Sequence, residues 1–310
     1  MEFSHKPVLL EECLEGLAIR PEGIYLDGTL GGAGHSSQIV RRLTTGRLIG
    51  VDRDPEALRA AGERLAPFQD RVTLVHSNFC EIKKILEDLQ IDGVDGMLFD
   101  LGVSSPQLDD ASRGFSYMAD APLDMRMNEE DTLSAYDVVN TWDYEELRRI
   151  LREYGEERYA PSIAAAIVRQ REKQPIRTTL ELVDVIKSAM PGQALREKQH
   201  PAKRSFQAIR IAVNDELGSV SRMMEDAVDC LNPGGRLAVI TFHSLEDRIV
   251  KNAMQTAAKG CTCPPEFPVC VCGKKPKVKL ISRKPIVSGE TELKENPRAR
   301  SAKLRVCEKL

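Results

Sequence analysis

Apolar residues fall in short runs through the first hundred positions, and a stretch with helical spacing follows each run. Ile24-Tyr25-Leu26-Asp27 predicts a strand that ends in an acid, and Ile39, Val40 and Leu43 then mark a helical stripe. Arg47–Asp52 (RLIGVD) predicts a second strand, again closed by an acid. Pro55 opens a helix with Leu58, Ala61 and Leu65 on one face. Val72-Thr73-Leu74-Val75 reads as a third strand, Ile82, Ile85, Leu86 and Leu89 as a further helix, and Val94–Asp100 (VDGMLFD) as a fourth strand. Strands buried on both faces read as continuous apolar runs, as these do. Strand alternating with helix implies a parallel sheet with right-handed crossovers.

The rhythm breaks after Leu101. Gly102, Pro106, Gly114 and Pro122 make the chain turn-rich to about Met127, and helical patterns follow. Asp143 and Glu146 form a capping box ahead of Leu147, Ile150, Leu151 and Tyr154. Pro161 opens a helix carrying Ile163, Ile167 and Val168, and Thr178 with Glu181 makes a second box before Leu182, Val185 and Ile186. One long periodic stretch then runs from Phe206 through Ile209, Val213, Leu217, Val220, Met224 and Ala227 to Leu231. Asn232-Pro233-Gly234-Gly235 predicts a tight turn, Arg236–Phe242 a fifth strand, and Ser244 the N-cap of a helix with Leu245, Ile249, Val250 and Met254 on its face. Val278–Ile281 and Leu304–Val306 supply the last strands. The expected organisation is an α/β domain made of residues 1–110 and 206–310, interrupted by an all-helical insertion at 111–205 that serves substrate recognition.

Composition changes this picture little. The chain has 310 residues, 42% hydrophobic and 29% charged, which is ordinary for a globular protein and excludes collagen, coiled coil or disorder as the main state. No apolar run approaches the ~18 residues of a membrane span. The segment Met1–Pro7 lacks a secretory pattern, so a cytoplasmic chain without membrane contact is expected. The net charge of −3 hides local clusters: six Lys/Arg and no acid between Lys274 and Lys284, then Lys198, His200, Lys203, Arg204 and Arg210, then Arg298, Arg300, Lys303 and Arg305. Such clusters fit a polyanion, although each taken singly also fits a solvated face.

Asp27–His35 (DGTLGGAGH) joins the first strand to the first crossover helix, the position of a nucleotide loop in a doubly wound sheet. Asp52 can accept both ribose hydroxyls of an adenosine. NAD, FAD and S-adenosylmethionine all fit those two features. Gly28, Gly31, Gly32 and Gly34 miss the GxGxxG spacing, and Asp27 would repel a pyrophosphate but suits a cationic ligand. Phe79, after the third strand, is either a core aromatic or a platform for adenine. Asp100 faces the same edge, and a carboxylate there is costly without a partner.

These residues sit in motifs that run in order along the chain: DGTLGGAGHS at 27–36, VDRDP at 51–55, DLGVSSPQLD at 100–109, RGFS at 113–116, PLDMRM at 122–127, YGEER at 154–158, RSFQAIRIAVN at 204–214, FHSLEDRIVK at 242–251 and ENPRARS at 295–301. The sequence closely resembles the bacterial 16S ribosomal RNA cytosine-N4 methyltransferases, the RsmH/MraW family. The resemblance implies a Rossmann-like class I S-adenosylmethionine-dependent methyltransferase sheet with a helical insertion. It also implies methyl transfer to the N4 amine of a cytosine in the decoding region, with 16S rRNA of the small ribosomal subunit as partner. By match to the motifs, Ala33, Gly34, His35, Asp52, Phe79, Asp100 and Gln107 would contact the cofactor. Ala33 stands where relatives often have glycine.

A cytosine amine is a poor nucleophile, because its lone pair is delocalised into the ring. Positioning and preorganised acceptors should therefore supply most of the catalysis. Asp100 is the candidate acceptor, a pure cofactor contact being its other role. His243, with Glu246, is expected to border the target pocket, or else to cap a helix. Arg204, Arg210 and Arg248 are candidate phosphate contacts, with ion-paired roles equally open. No strand-ending Pro-Cys pair is present for covalent attack on a ring carbon. Cys261-Thr262-Cys263 and Cys270-Val271-Cys272 form CxC-x6-CxC, either a structural Zn²⁺ site or a set of free or reversibly oxidised thiols. An NAD-dependent oxidoreductase and a non-catalytic ribosome-assembly protein are the alternative functions. The sequence leaves the oligomeric state open, a homo-oligomer included.

Overall fold

The parallel strands expected from the alternating pattern assemble into one sheet, seen in a computed structural model that describes residues 7–259, 261, 263–264, 266–269 and 271–310. In chain order the elements begin with α1 (Leu10–Leu17), β1 (Ile24–Asp27), α2 (Gly34–Val40), β2 (Arg47–Asp52), α3 (Pro55–Leu65), β3 (Val72–His76), α4 (Ile82–Asp88) and β4 (Val94–Asp100). Helices α5 (Ser105–Asp109), α6 (Ala135–Thr141), α7 (Tyr144–Glu153), α8 (Ala160–Arg171), α9 (Thr179–Ser188) and α10 (Lys203–Asn214) follow. The chain ends with α11 (Glu216–Asp226), β5 (Leu231–Thr241), α12 (Ser244–Lys259), β6 (Val278–Leu280), α13 (Glu290–Glu295) and β7 (Lys303–Lys309). It divides into two compact units, Met1–Gly102 with Leu217–Leu310, and Val103–Glu216.

In the first unit the strand order is β3-β2-β1-β4-β5-β7-β6. Strands β1 to β5 pair in parallel, and β7 runs antiparallel to both β5 and β6. This is a Rossmann-like sheet, parallel from β1 to β5 as the alternating pattern predicts. Successive strand residues point to opposite faces. Met97, Phe99, Leu237 and Val239 accordingly pack with α4, α11 and α12, while Leu98, Ala238 and Ile240 pack with α1, α2 and α3. Each large side chain fully buried this way contributes roughly 1.5–3 kcal/mol. β6, of three residues, makes a short outer edge that offers little to another chain's strands.

The second unit has its own core. Leu147, Ile150 and Leu151 of α7, Ile163 and Ile167 of α8, Leu182 and Ile186 of α9, and Phe206 and Ile209 of α10 are buried together. Both predicted capping boxes form, Asp143 with Glu146 and Thr178 with Glu181. The division of the chain falls at 102/103 and 216/217 rather than at 110/111 and 205/206. Its cause is packing: Phe206, Ala208, Ile209 and Val213 bury their faces in the helical core, and Val103 and Leu108 pack against it.

The long periodic stretch holds two helices and reaches β5 at Leu231. Asp215 takes a left-handed conformation (φ 46°), which Asp tolerates better than most residues, and the helix restarts at Glu216. Val220, Met223, Met224 and Ala227 then bury into the sheet's core instead. The Asn232–Gly235 turn is drawn into β5, where the register against β4 shifts between Val94 and Gly96 and Gly234 takes φ 76°.

Candidate active site

Ligands in open α/β sheets lodge at the carboxyl edge where the strand order reverses. Here that point lies between β1 and β4, which pair directly, with β2 on the far side of β1. Each of these three strands ends in an acid, so the sheet brings Asp27, Asp52 and Asp100 to one edge.

The loop after β1 bonds to the carboxylates of Asp27 and Asp52 and to the backbone of Asp100. Buried Asp27 accepts from Ser36 Oγ at 2.6 Å and from the Thr29 amide at 3.2 Å. Burial raises its pKa against these bonds. Gly31 (φ 48°) donates its amide to Asp52 Oδ2 at 2.8 Å. Thr29 Oγ1 accepts from the Asp100 amide at 2.6 Å. Two of the loop's glycines answer to packing: a Cβ on Gly28 would stand 2.2 Å from the Phe99 ring, and one on Gly34 2.5 Å from Pro7. Ala33 is left-handed (φ 56°), which explains why glycine also suits this position.

Asp52 accepts a second amide, that of Asp54, at 2.9 Å. Burial, helped by the nearby charges of Asp54 and Asp27, pushes its carboxyl up to about 6 despite the two N–H bonds. Phe79 meets Phe99 edge-to-face at 5.8 Å and packs against the sheet's core, so its aromatic face has a core partner at that edge.

Asp100 is the least satisfied of the three acids. Its side chain is 27% exposed, yet Oδ1 is shielded from solvent and has no hydrogen-bond partner. Oδ2 lies 3.9 Å from His35 Nδ1. The other ring nitrogen, Nε2, sits 3.0 Å from the Val8 carbonyl. A carbonyl only accepts, so Nε2 carries a hydrogen and Nδ1 is the nitrogen offered to Asp100. Burial pushes the Asp100 carboxyl up to about 6; His35 opposes the shift, and the charges of Asp27 and Glu246 add to it.

His243 follows β5 and leads into α12. Its Nε2 lies 3.1 Å from Glu246 Oε1, at an angle that makes no hydrogen bond. Glu246 is 1% exposed, and its Oε2 accepts from the amides of Phe242 (2.8 Å) and His243 (3.3 Å). Glu246 therefore closes the entry of α12, a role the sequence reading gave to Ser244 as N-cap; Ser244 is the first helical residue. Next to it, Asp247 grips Arg305 of β7 with two bonds, at 2.7 and 3.1 Å. Arg248 is exposed on the same helix.

The second unit holds Gln107, Arg204 and Arg210. Gln107 is buried, and its Oε1 accepts from the Ser104 amide at 3.0 Å, closing a capping box over α5. The Ser104-x-x-Gln107 spacing carries that box in the sequence, and the turn-rich reading of 101–127 passed over it. Arg210 forks onto Glu216 at 2.7 and 2.9 Å, so its charge is held in an ion pair. Arg204 donates to the Glu156 carbonyl at 3.2 Å. Asn214, also missed, is buried: it donates to the Met125 carbonyl (2.7 Å) and accepts from the Met127 amide (2.8 Å), holding the PLDMRM segment.

Of the four clustered cysteines, Cys261, Cys263 and Cys272 come together with their sulfur atoms all within 4.8 Å of one another. Cys270 lies outside the described residues.

The sequence that folds into this sheet is similar to that of known proteins. The model of the MraW methylase family matches residues 2–310. A protein of Brevibacillus brevis named Ribosomal RNA small subunit methyltransferase H is 61% identical over 100% of this chain and 99% of its own length. Proteins of the same name from Paenibacillus sp. (59%, over 99% of this chain and 100% of theirs) and Symbiobacterium thermophilum (58%, over 100% and 98%) are similar to it as well. A family match along the whole chain, with relatives this near, places the chain in the MraW methylase family.

Proposed function

We propose that this chain transfers a methyl group from S-adenosylmethionine to the exocyclic N4 amine of a cytosine in the decoding region of 16S rRNA, within the small ribosomal subunit. The observation that carries the reading is identity of 58–61% with rRNA small subunit methyltransferases over nearly the full length of both chains. The cytoplasm is the compartment that goes with such a substrate. Among the described residues no helix is long and apolar enough to cross a membrane.

The residues at the sheet edge fit this cofactor. When bound, S-adenosylmethionine supplies an electrophilic methyl group on a cationic sulfonium. Asp100 Oδ1, buried without a partner, suits a ligand that brings a donor or a positive charge. Asp52 would hold the ribose hydroxyls, since each of its oxygens keeps a lone pair beyond the amide it accepts. Ala33, Gly34, His35 and Phe79 would complete the cofactor's contacts, as would Gln107 by its match to the motif.

The target amine needs its lone pair drawn out of the ring and aimed at the methyl carbon. In this reading the Asp100 carboxylate accepts an amine hydrogen, which localises the lone pair at no cost in reorganisation. His243, its ring set against Glu246, borders the base, which must leave its stack to be reached. Arg204 and Arg248 contact phosphates, and Arg210 acts through the Glu216 pair that holds it.

The test is transfer of a radiolabelled methyl group to small subunits from cells lacking the enzyme. Wild-type protein should label 16S rRNA, and Asp100→Asn should bind S-adenosylmethionine yet transfer slowly. No labelling of subunits or of naked 16S rRNA by a protein that binds the cofactor would reject the proposal.

A further inference from the structure

We infer that Cys261, Cys263 and Cys272 form a zinc-binding thiolate knuckle between α12 and β6. The Cys261 and Cys272 sulfur atoms are 3.8 Å apart, and all three lie within 4.8 Å of one another. Zinc binds thiolate sulfur at about 2.3 Å in a tetrahedron, whose edge is then about 3.8 Å. A disulfide needs about 2.05 Å, so this spacing suits a shared ion rather than a bond between the sulfurs.

The Val271 amide donates to Cys263 Sγ at 3.4 Å, the kind of outer contact that orients a metal-bound sulfur. Soft sulfur donors select zinc over magnesium or calcium. Three thiolates leave one corner of the tetrahedron for a further donor.

Among the described residues of the segment, apolar side chains bury little: Phe267 is 51% exposed, Val269 69% and Val271 73%. Its base is pinned where the Lys277 amide donates to the Ala257 carbonyl at 2.8 Å and Lys277 Nζ meets Asp229 at 2.7 Å. A bound ion would close the remaining loop, as metals do in segments too small to bury a core. It would thereby hold the lysines from Lys274 to Lys284 in one arrangement. The ion is structural, since these cysteines stand outside the motif blocks that carry the family resemblance.

The full-length protein, purified under reducing conditions without chelator or added metal, should contain about one equivalent of zinc. Cys261→Ser, Cys263→Ser and Cys272→Ser should each lower this at least about five-fold, while circular dichroism and S-adenosylmethionine binding stay as in the wild type. Metal-stripped wild type titrated with Co²⁺ alone should develop a thiolate charge-transfer band that Zn²⁺ abolishes. Three results would each overturn the inference: zinc below about a tenth of an equivalent with no cobalt band, zinc unchanged in the triple serine variant, or a Cys261–Cys272 disulfide trapped by anaerobic alkylation.

Discussion

Folding raises the Asp100 carboxyl from 3.8 to about 6, because burial penalises its charge more than His35 relieves it. The folded state then holds the proton more tightly than the unfolded chain. Stability therefore falls as pH rises from about 4 to about 6, and the ionised group costs up to about 3 kcal/mol above that. Asp100→Asn removes the charge and should raise the melting temperature by about 3–6 °C at pH 7.5, measured by calorimetry. The same substitution should lower turnover at saturating cofactor by about 100-fold. Stability gained with activity retained would strip Asp100 of its acceptor role. If the carboxylate is the active form, kcat/KM climbs with pH through about 6 and levels off above it. Asp52 also titrates at about 6, and its share is read separately from the pH dependence of cofactor affinity. The sequence made these acids legible because each one ends an apolar strand. It could not show that Asp100 Oδ1 lacks a partner, or that His35 spends Nε2 on Val8. Those facts depend on residues distant in the chain meeting at one edge.

Helix α12 is tied to β7 by the Asp247–Arg305 pair, both side chains being nearly buried (13% and 10% exposed). Burial alone would raise the Asp247 carboxyl, but Arg305 and Lys303 outweigh it and hold it below 3.8. The pair's contribution is present above about pH 4 and fades as pH falls further. Asp247→Asn leaves Arg305 without its counter-charge and should cost about 3 kcal/mol in denaturant unfolding at neutral pH. A change under about 0.5 kcal/mol would show the pair to be dispensable. Element types were readable from periodicity and capping boxes: Pro55, Asp143 and Thr178 start helices where the spacing placed them. Continuity was not. From Phe206 to Leu231 the apolar period persists across Asp215 while the surface it buries against changes. A repeat reports that a face is buried and not which core buries it.

For the whole molecule, strand rhythm and its interruption told of a parallel sheet and a helical insertion, and the sheet order bears out the first. The insertion's limits lay beyond reach, because α10 continues the pattern of the returning chain yet packs with the helices before it. With Leu147, Ile163, Leu182 and Ile209 buried in a core of its own, residues 103–216 should fold alone and melt cooperatively by circular dichroism. A broad, non-cooperative melt would show that this core needs the sheet. Replacing Arg204 or Arg248 by Ala should weaken small-subunit binding and reduce its salt slope by about 1. An unchanged slope would remove that arginine from the RNA contact.

The most direct measurement of the central claim is the identity of the modified nucleoside. Small subunits treated with the enzyme and a methyl donor carrying deuterium should yield, after digestion and mass spectrometry, N4-methylcytidine bearing the label. Label on a ring carbon, on a ribose oxygen or on another base would contradict the account.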